Sequence, residues 1–119
     1  MPTKLFDSEL KVMEALWEGG DLTAGQLAKL LNEQTGWNRN TTYTVIKKLI
    51  AKGAVERLEP NFTCRAAITK EQVRQCEAEG LIDRLFDGSA ELFLSAYASG
   101  KGLSSEEIDG LRRLVERLK

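Results

Sequence analysis

One helix-starting motif occurs three times in this chain of 119 residues and divides it into helices. In each copy, threonine or serine is followed three residues later by glutamine or glutamate: Thr23 with Gln26, Thr69 with Gln72, and Ser104 with Glu107. The hydroxyl accepts a hydrogen bond from the third helical residue, whose side chain reaches back to the capping residue. The chain is therefore predicted to start helices after residues 23, 69 and 104.

Apolar residues at helical spacing predict a further helix at the start of the chain. It should be capped near Asp7 or Ser8 and stop at Gly19-Gly20, because glycine readily ends a helix. Its inward residues are predicted to be Leu10, Met13, Leu16 and Trp17. The helix that starts after Thr23 should end before Gly36.

The segment from Gly36 to Gly53, GWNRNTTYTVIKKLIAKG, predicts a third helix with two contrasting faces. Asn38 or Asn40 should cap its start, and Gly53 should end it. One face is apolar at spacings of three and four, with Thr42, Val45, Ile46 and Leu49. The opposite face is polar and cationic, with Asn40, Thr44, Lys47, Lys48 and Ala51, flanked by Thr41 and Tyr43.

Two short strands are predicted after the third helix. They cover Val55–Leu58 and Thr63–Ile68, with Pro60 and Asn61 in the turn between them. Three helices followed by a β-hairpin form a winged helix-turn-helix domain, in which the third helix enters the DNA major groove. The expected fold is mostly α with a small β-hairpin wing, and residues 1–69 are predicted to be a winged helix-turn-helix DNA-binding domain.

Basic residues are concentrated where DNA would bind. Residues 36–58 include five basic residues and one acid, a net charge of +4, although the whole chain has a net charge of −1. Amides and hydroxyls can bond to base edges, whereas lysine and arginine bind phosphates. We expect a recognition helix at about 40–52, with base contacts from Asn40, Thr41, Tyr43 and Thr44. Contacts to the DNA backbone are expected from Arg39, Lys47, Lys48 and Arg65.

Residues 70–119 are predicted to be helical and too apolar to remain in water as isolated short helices. A second copy of the same segment is the simplest cover for these apolar faces, so residues 70–119 are predicted to be a helical dimerisation domain. The residues expected at the contact between two copies are Leu92, Phe93, Tyr97, Ile108, Leu111, Leu114, Val115 and Leu118.

Composition argues against several other functions. The sequence has no histidine, which removes the commonest general base and most zinc sites, so we expect no enzyme, no metal and no other cofactor. No run approaches the roughly 20 apolar residues of a membrane span, so we expect a cytoplasmic protein without a membrane partner. The two cysteines, Cys64 and Cys76, are expected to be reduced and buried.

Four stretches carry a family resemblance: DSELKVMEALWEGGDLTAGQL from residue 7, TGWNRNTTYTVIKKLIAKGAV from residue 35, RLFDGSAELFL from residue 84 and LSSEEIDGLRRLVERL from residue 103. Together they resemble the penicillinase-repressor family of bacterial winged-helix regulators, with its BlaI, MecI and CopY types. The resemblance covers nearly the whole chain and is most specific in the tract around Trp37.

The resemblance implies a homodimeric transcriptional repressor that binds a dyad DNA operator. For the antibiotic-resistance members it also implies a regulatory protease, which inactivates the repressor by cutting an Asn-Phe bond in the dimerisation domain. That bond falls near Ala96 and Tyr97 here, where the asparagine is missing. Copper-responsive members have a C-terminal cysteine cluster that this chain lacks.

Two other functions remain open from the sequence. One is a winged-helix protein-interaction module that does not bind DNA, which agrees with the modest pI of the chain, about 5.6. The other is a thiol-based sensor that uses Cys64 and Cys76. Steep salt dependence of duplex binding would separate a repressor from an interaction module.

Overall fold

Residues 4–119 are described by a computed structural model, and within this range six helices and three short strands follow one another along the chain. Their order is α1 (Asp7–Gly19), β1 (Leu22–Thr23), α2 (Ala24–Thr35), α3 (Arg39–Ala51), β2 (Val55–Leu58), β3 (Thr63–Ala66), α4 (Lys70–Leu85), α5 (Ala90–Gly100) and α6 (Ser105–Leu118).

The chain divides into two compact units. The first ends at Glu77, and the second runs from Ala78 to Lys119, so their boundary lies inside α4. The division between a DNA-binding domain at 1–69 and a dimerisation domain at 70–119 is a functional one and stays a prediction.

All three capping motifs form as the sequence predicts. At α2, the backbone N–H of Gln26 donates to the Thr23 hydroxyl at 3.1 Å, and the Thr23 N–H donates to Gln26 Oε1 at 2.8 Å. The same reciprocal pair of hydrogen bonds joins Thr69 to Gln72 at α4 and Ser104 to Glu107 at α6. The local pattern was therefore sufficient to place these helix starts.

The predicted cap of α1 is wrong, because neither Asp7 nor Ser8 holds that position. Phe6 lies at the N-cap, and its backbone N–H donates to the Glu9 carboxylate at 2.8 Å. Phe6 has no side-chain acceptor, so only half of the usual reciprocal motif exists. A search for a hydroxyl or carboxylate cap consequently misses this helix start.

The recognition helix predicted from the sequence is α3. Of its two candidate caps, Asn38 is the one used: its side-chain oxygen accepts from the Thr41 N–H at 2.8 Å. The helix ends at Ala51, and Gly53 has a φ of +80°, a left-handed conformation that glycine adopts without steric cost.

The sheet has one more strand than the sequence predicts. The hairpin forms as expected, with Val55 opposite Ala66 and Leu58 opposite Thr63, and β1 then pairs with the other edge of β3. The second hairpin strand was predicted to reach Ile68 but ends at Ala66. The Ile68 carbonyl instead accepts a hydrogen bond from the Trp17 indole N–H at 3.0 Å, which takes it out of the ladder.

One apolar core joins the three helices and the sheet. Its fully buried side chains include Val12, Met13, Leu27, Leu31, Ile46, Leu49 and Cys64, and Val73 from the start of α4 lies in the same cluster. Three helices covered on one side by a small antiparallel sheet form a winged helix-turn-helix fold, as predicted.

The second unit has little interior of its own. The rings of Phe86 and Phe93 pack edge to face, with centroids 5.4 Å apart. Neither α5 nor α6 has a fully buried residue in the single chain. Much of the apolar surface of α5 and α6 is therefore exposed in the single chain.

Candidate nucleic-acid interface

Helix α3 buries one face and exposes the other, at the positions that its helical spacing predicts. Thr42, Val45, Ile46 and Leu49 are buried against α1 and α2. The exposed positions are Asn40, Thr41, Thr44, Lys47, Lys48 and Ala51, with Arg39 beside them at the start of the helix. One short helix thus presents seven exposed positions, six of them polar, from a rigid support.

The hydroxyl hydrogen of Thr44 is already used in a hydrogen bond within α3. Its hydroxyl donates to the Asn40 carbonyl one turn earlier, at 2.9 Å. The lone pairs of the same oxygen can still accept a hydrogen bond. In a major groove, Thr44 would therefore accept from an amino group, which cytosine and adenine present there.

Two lysines supply the positive charge of the exposed face. Lys47 and Lys48 are exposed, and neither forms an ion pair with any residue in the 4–119 range. Strongly hydrated ammonium groups on flexible stems suit contacts with phosphate oxygens, which need charge but little geometric precision.

Lys52, which the sequence adds to this positive charge, turns inward instead. Its Nζ lies 2.6 Å from Glu9 Oε1, 3.1 Å from the Lys4 carbonyl and 4.6 Å from the centroid of the Phe6 ring. Glu9 is 1% exposed, so this is a buried ion pair between α1 and the end of α3. The partners are 43 residues apart, and no local pattern indicates them.

Arg57 and Arg65 on the hairpin are each paired with an acid. The Arg57 Nε lies 2.7 Å from a Glu59 carboxylate oxygen. The Arg65 Nε and Nη2 lie 3.0 and 2.9 Å from one oxygen of Asp21, whose hydrogen bond and charge raise the pKa of Arg65. A phosphate would have to compete with Asp21 for Arg65, the one predicted backbone contact that lies outside α3.

An aromatic contact joins α3 to the turn of the hairpin. The rings of Tyr43 and Phe62 meet edge to face, with centroids 5.8 Å apart and planes at 87°. The Arg39 guanidinium donates to the Tyr43 hydroxyl at 2.9 Å, and the Arg57 guanidinium lies over the Phe62 ring at 3.8 Å. Neither Phe62 nor Arg57 is among the site residues predicted from the sequence. An aromatic side chain in a hairpin turn is the sequence feature that could have indicated Phe62.

The predicted dimer contacts are mostly exposed in the single chain. Leu92, Tyr97, Ile108, Leu114, Val115 and Leu118 are exposed, while Phe93 and Leu111 are half-buried. Leu85 and Leu94 extend the exposed apolar surface beyond the predicted set.

Neither a metal site nor a membrane span is found in the described part of the chain. Residues 4–119 contain no group of three or more histidine, cysteine or acidic side chains that could hold a metal ion. No helix in this range is long and apolar enough to cross a membrane.

Cys64 should react slowly with alkylating agents in the folded protein. It is fully buried, and burial raises the pKa of its thiol despite the opposing charge of Arg57. Burial keeps the alkylating agent away from the sulfur, and the raised pKa lowers the fraction of thiolate, which is the nucleophile. Both effects slow the reaction at pH 8. In a Cys76→Ala variant, iodoacetamide should modify Cys64 many-fold more slowly in buffer than in urea. Equal rates in the two solutions would restore the thiol-sensor hypothesis.

Comparison with known proteins gives a consistent result over the whole chain. The sequence model of a family described as penicillinase repressor matches residues 5–117. A penicillinase repressor from Bacillus licheniformis is 24% identical over 118 residues, which cover 98% of this chain and 92% of the relative. The methicillin resistance regulatory protein MecI of Staphylococcus aureus strain N315 is 21% identical over 116 residues, or 96% of this chain and 94% of that protein.

A similar solved structure is the solution structure of the Bacillus licheniformis BlaI monomeric form in complex with the blaP half-operator. It superposes with a TM-score of 0.55 at 25% identity and covers 60% of this chain and 89% of that chain. The family resemblance seen in the sequence is confirmed by the family match. The chain therefore belongs to the penicillinase repressor family, a family of DNA-binding transcriptional repressors and not of enzymes.

Proposed function

We propose that the chain is a homodimeric bacterial transcriptional repressor that binds a dyad DNA operator. Each protomer places α3 in the major groove of one half-site and lays its β-hairpin along the neighbouring backbone. The helices of residues 70–119 join the two protomers. Such a protein acts in the cytoplasm, where bacterial operators lie.

The observation that carries this proposal is the exposed face of α3. Buried residues hold the helix by its other side, so its polar positions are presented in a fixed arrangement. Lys47 and Lys48 have no acidic partner within the described range, so their charges are available to phosphates. A helix that served only to cover the core would not need this compact unpaired charge.

The contacts divide between base edges and backbone. We assign Asn40, Thr41, Tyr43 and Thr44 to base edges, because their amide and hydroxyl groups lie in the first half of α3. Arg39, Lys47, Lys48 and Arg65 are assigned to phosphates. The BlaI complex supports DNA binding by a protein of this fold, because its similarity covers 60% of this chain and its partner is a half-operator.

The exposed apolar surface of the second unit supports dimerisation. A protomer that leaves Leu92, Tyr97 and Val115 exposed has apolar area that a second copy can cover. Closed twofold symmetry is the commonest arrangement of soluble homo-oligomers, and it matches an operator with two inverted half-sites.

Selection from a random-sequence duplex pool tests the proposal directly. The wild-type protein should enrich duplexes with two inverted half-sites, and the logarithm of its affinity should fall steeply and linearly with the logarithm of the salt concentration. A shuffled duplex of the same length serves as the nonspecific control. A protein that enriches no sequence and binds duplexes feebly at every salt concentration would instead be an interaction module.

Thr44→Ala and Lys48→Ala should change different properties of DNA binding, the first its sequence preference and the second its overall strength. Thr44→Ala removes an acceptor from the exposed face, so it should lower affinity for the selected duplex by about 1–3 kcal/mol and weaken discrimination against the shuffled duplex. Lys48→Ala should weaken both duplexes alike and reduce the salt slope by about 0.9. Fluorescence anisotropy titrations at several salt concentrations measure both effects. Unchanged affinity and sequence preference in Thr44→Ala would show that a different face of α3 meets the groove.

A further inference from the structure

Phe62 lies in the hairpin turn in a backbone conformation that few non-glycine residues adopt. Its φ is +50°, and the φ of the preceding Asn61 is +71°. Bulky residues persist in this left-handed region only where the surrounding structure holds them. One such contact is the Phe62 carbonyl, which accepts a hydrogen bond from the Ala24 N–H at the start of α2, at 2.9 Å.

The side chain of Phe62 provides the other contacts. Its ring meets Tyr43 of α3 edge to face and carries the Arg57 guanidinium of β2 on its surface, 3.8 Å from the centroid. Tyr43 in turn accepts a hydrogen bond from Arg39. A single ring thus links two guanidinium groups, one on the recognition helix and one on the wing.

Stacking leaves a guanidinium ready to bind phosphate. A guanidinium held over an aromatic face can still donate from its N–H groups, and the pre-organised side chain loses less freedom when it binds. Glu59 accepts only the Nε N–H of Arg57, and the terminal amino groups are those that a phosphate oxygen would meet.

We infer that Phe62 is a positioning residue for DNA binding, which holds Arg57 of the wing and, through Tyr43, Arg39 of α3 in one arrangement that meets the operator backbone. This inference rests on the proposed function and adds Arg57 to its phosphate contacts. Phe62 itself touches no DNA and acts through the two arginines.

The test is a comparison of salt slopes on the duplex selected by the wild-type protein. Arg57→Gln should reduce the log–log slope by about 0.9, the value of one phosphate contact. Phe62→Leu keeps an apolar side chain but removes the aromatic face, and it should reduce the slope by at least as much. Adding Arg57→Gln to Phe62→Leu should then change the slope no further, because the Arg57 contact is already lost.

Two further variants separate positioning from simple structural damage. Phe62→Tyr restores the aromatic face and should restore the wild-type slope. Arg57→Lys keeps the charge but not the planar group that the ring positions, so its slope should fall below that of the wild type. Lys11→Gln is the matched loss of charge on α1, in a groove that also contains Asp7, Glu14 and Glu18, and it should leave the slope unchanged.

The outcomes distinguish this inference from the proposed function. If the wild type binds with a steep slope and Phe62→Leu, folded by circular dichroism, retains that slope, the inference alone is wrong. Should Phe62→Leu fail to fold, a full slope in Arg57→Lys would overturn the inference just as clearly. A wild-type protein that binds no duplex at any salt concentration would overturn the proposed function and the inference together.

Discussion

Val115→Glu should convert a dimer into monomers and weaken operator binding about 100-fold or more, since the second half-site would lose its intramolecular advantage. Val115 is 50% exposed in the single chain, so the substitution leaves the protomer's own packing largely intact. In the dimer, the new carboxylate would be removed from water without a partner, at a cost of several kcal/mol. Sedimentation velocity and titration of the selected duplex measure the two effects.

The choice of Val115 over Leu111 comes from the structure. Leu111 is half-buried within its own chain, so a charge there would damage the protomer as well as the contact between protomers. Val115→Leu is the matched control, because it keeps the position apolar and should remain a dimer. A wild type that sediments as a monomer at micromolar concentration, or a dimeric Val115→Glu that binds normally, would contradict the proposed dimer.

Lys52→Met should destabilise the first unit by about 3 kcal/mol, near the lower end for a broken buried pair because Lys52 is partly exposed. The substitution leaves the Glu9 carboxylate in the core without its counter-charge. Glu9 Oε2 already has no hydrogen-bond partner among the described residues, so the remaining contact to the Phe6 N–H cannot replace the lysine. Urea unfolding at a fixed protomer concentration measures the loss.

The double variant Glu9→Leu/Lys52→Met provides the control for that experiment. Replacing both members of a buried pair with apolar residues is often neutral or stabilising, so the double variant should recover most of the loss. About 1 kcal/mol should remain, because the Phe6 N–H loses its acceptor. A Lys52→Met protein as stable as wild type would show that the pair contributes nothing beyond exposed ion pairs.

Local signals were sufficient for most of the helices. The caps at Thr23, Thr69 and Ser104 depend on residues three positions apart, so each motif contains both of its partners. The burial of α3 was predicted equally well, because helical spacing alone decides which residues share a face.

Long-range pairings could not be read from the sequence. β1 has two residues, too few for an alternating pattern, and it becomes a strand only because Thr63 and Cys64 lie beside it. Glu9 looks like an ordinary helical acid until Lys52 reaches it from the end of α3. Both features depend on residues about 40 positions away, and tertiary context determines them.

The candidate site shows the same division. The polar positions of α3 follow from its sequence, but which charged side chains are paired with an acid does not. Lys52 was counted together with Lys47 and Lys48 in the basic segment, and yet its ammonium group is paired with the buried Glu9. Composition gives the total charge of a segment, whereas only the fold decides how much of it faces a partner.

The pairing of β1 with β3 determines when the first unit can fold during synthesis. A nascent chain that has reached Ala51 contains α1, α2 and α3, but it lacks the strand that β1 requires and the carbonyl of Ile68 that Trp17 binds. Val73, which closes the same core, comes later still. Since domains fold as units on the ribosome, we expect α3 to lack stable packing against the core until Val73 has emerged.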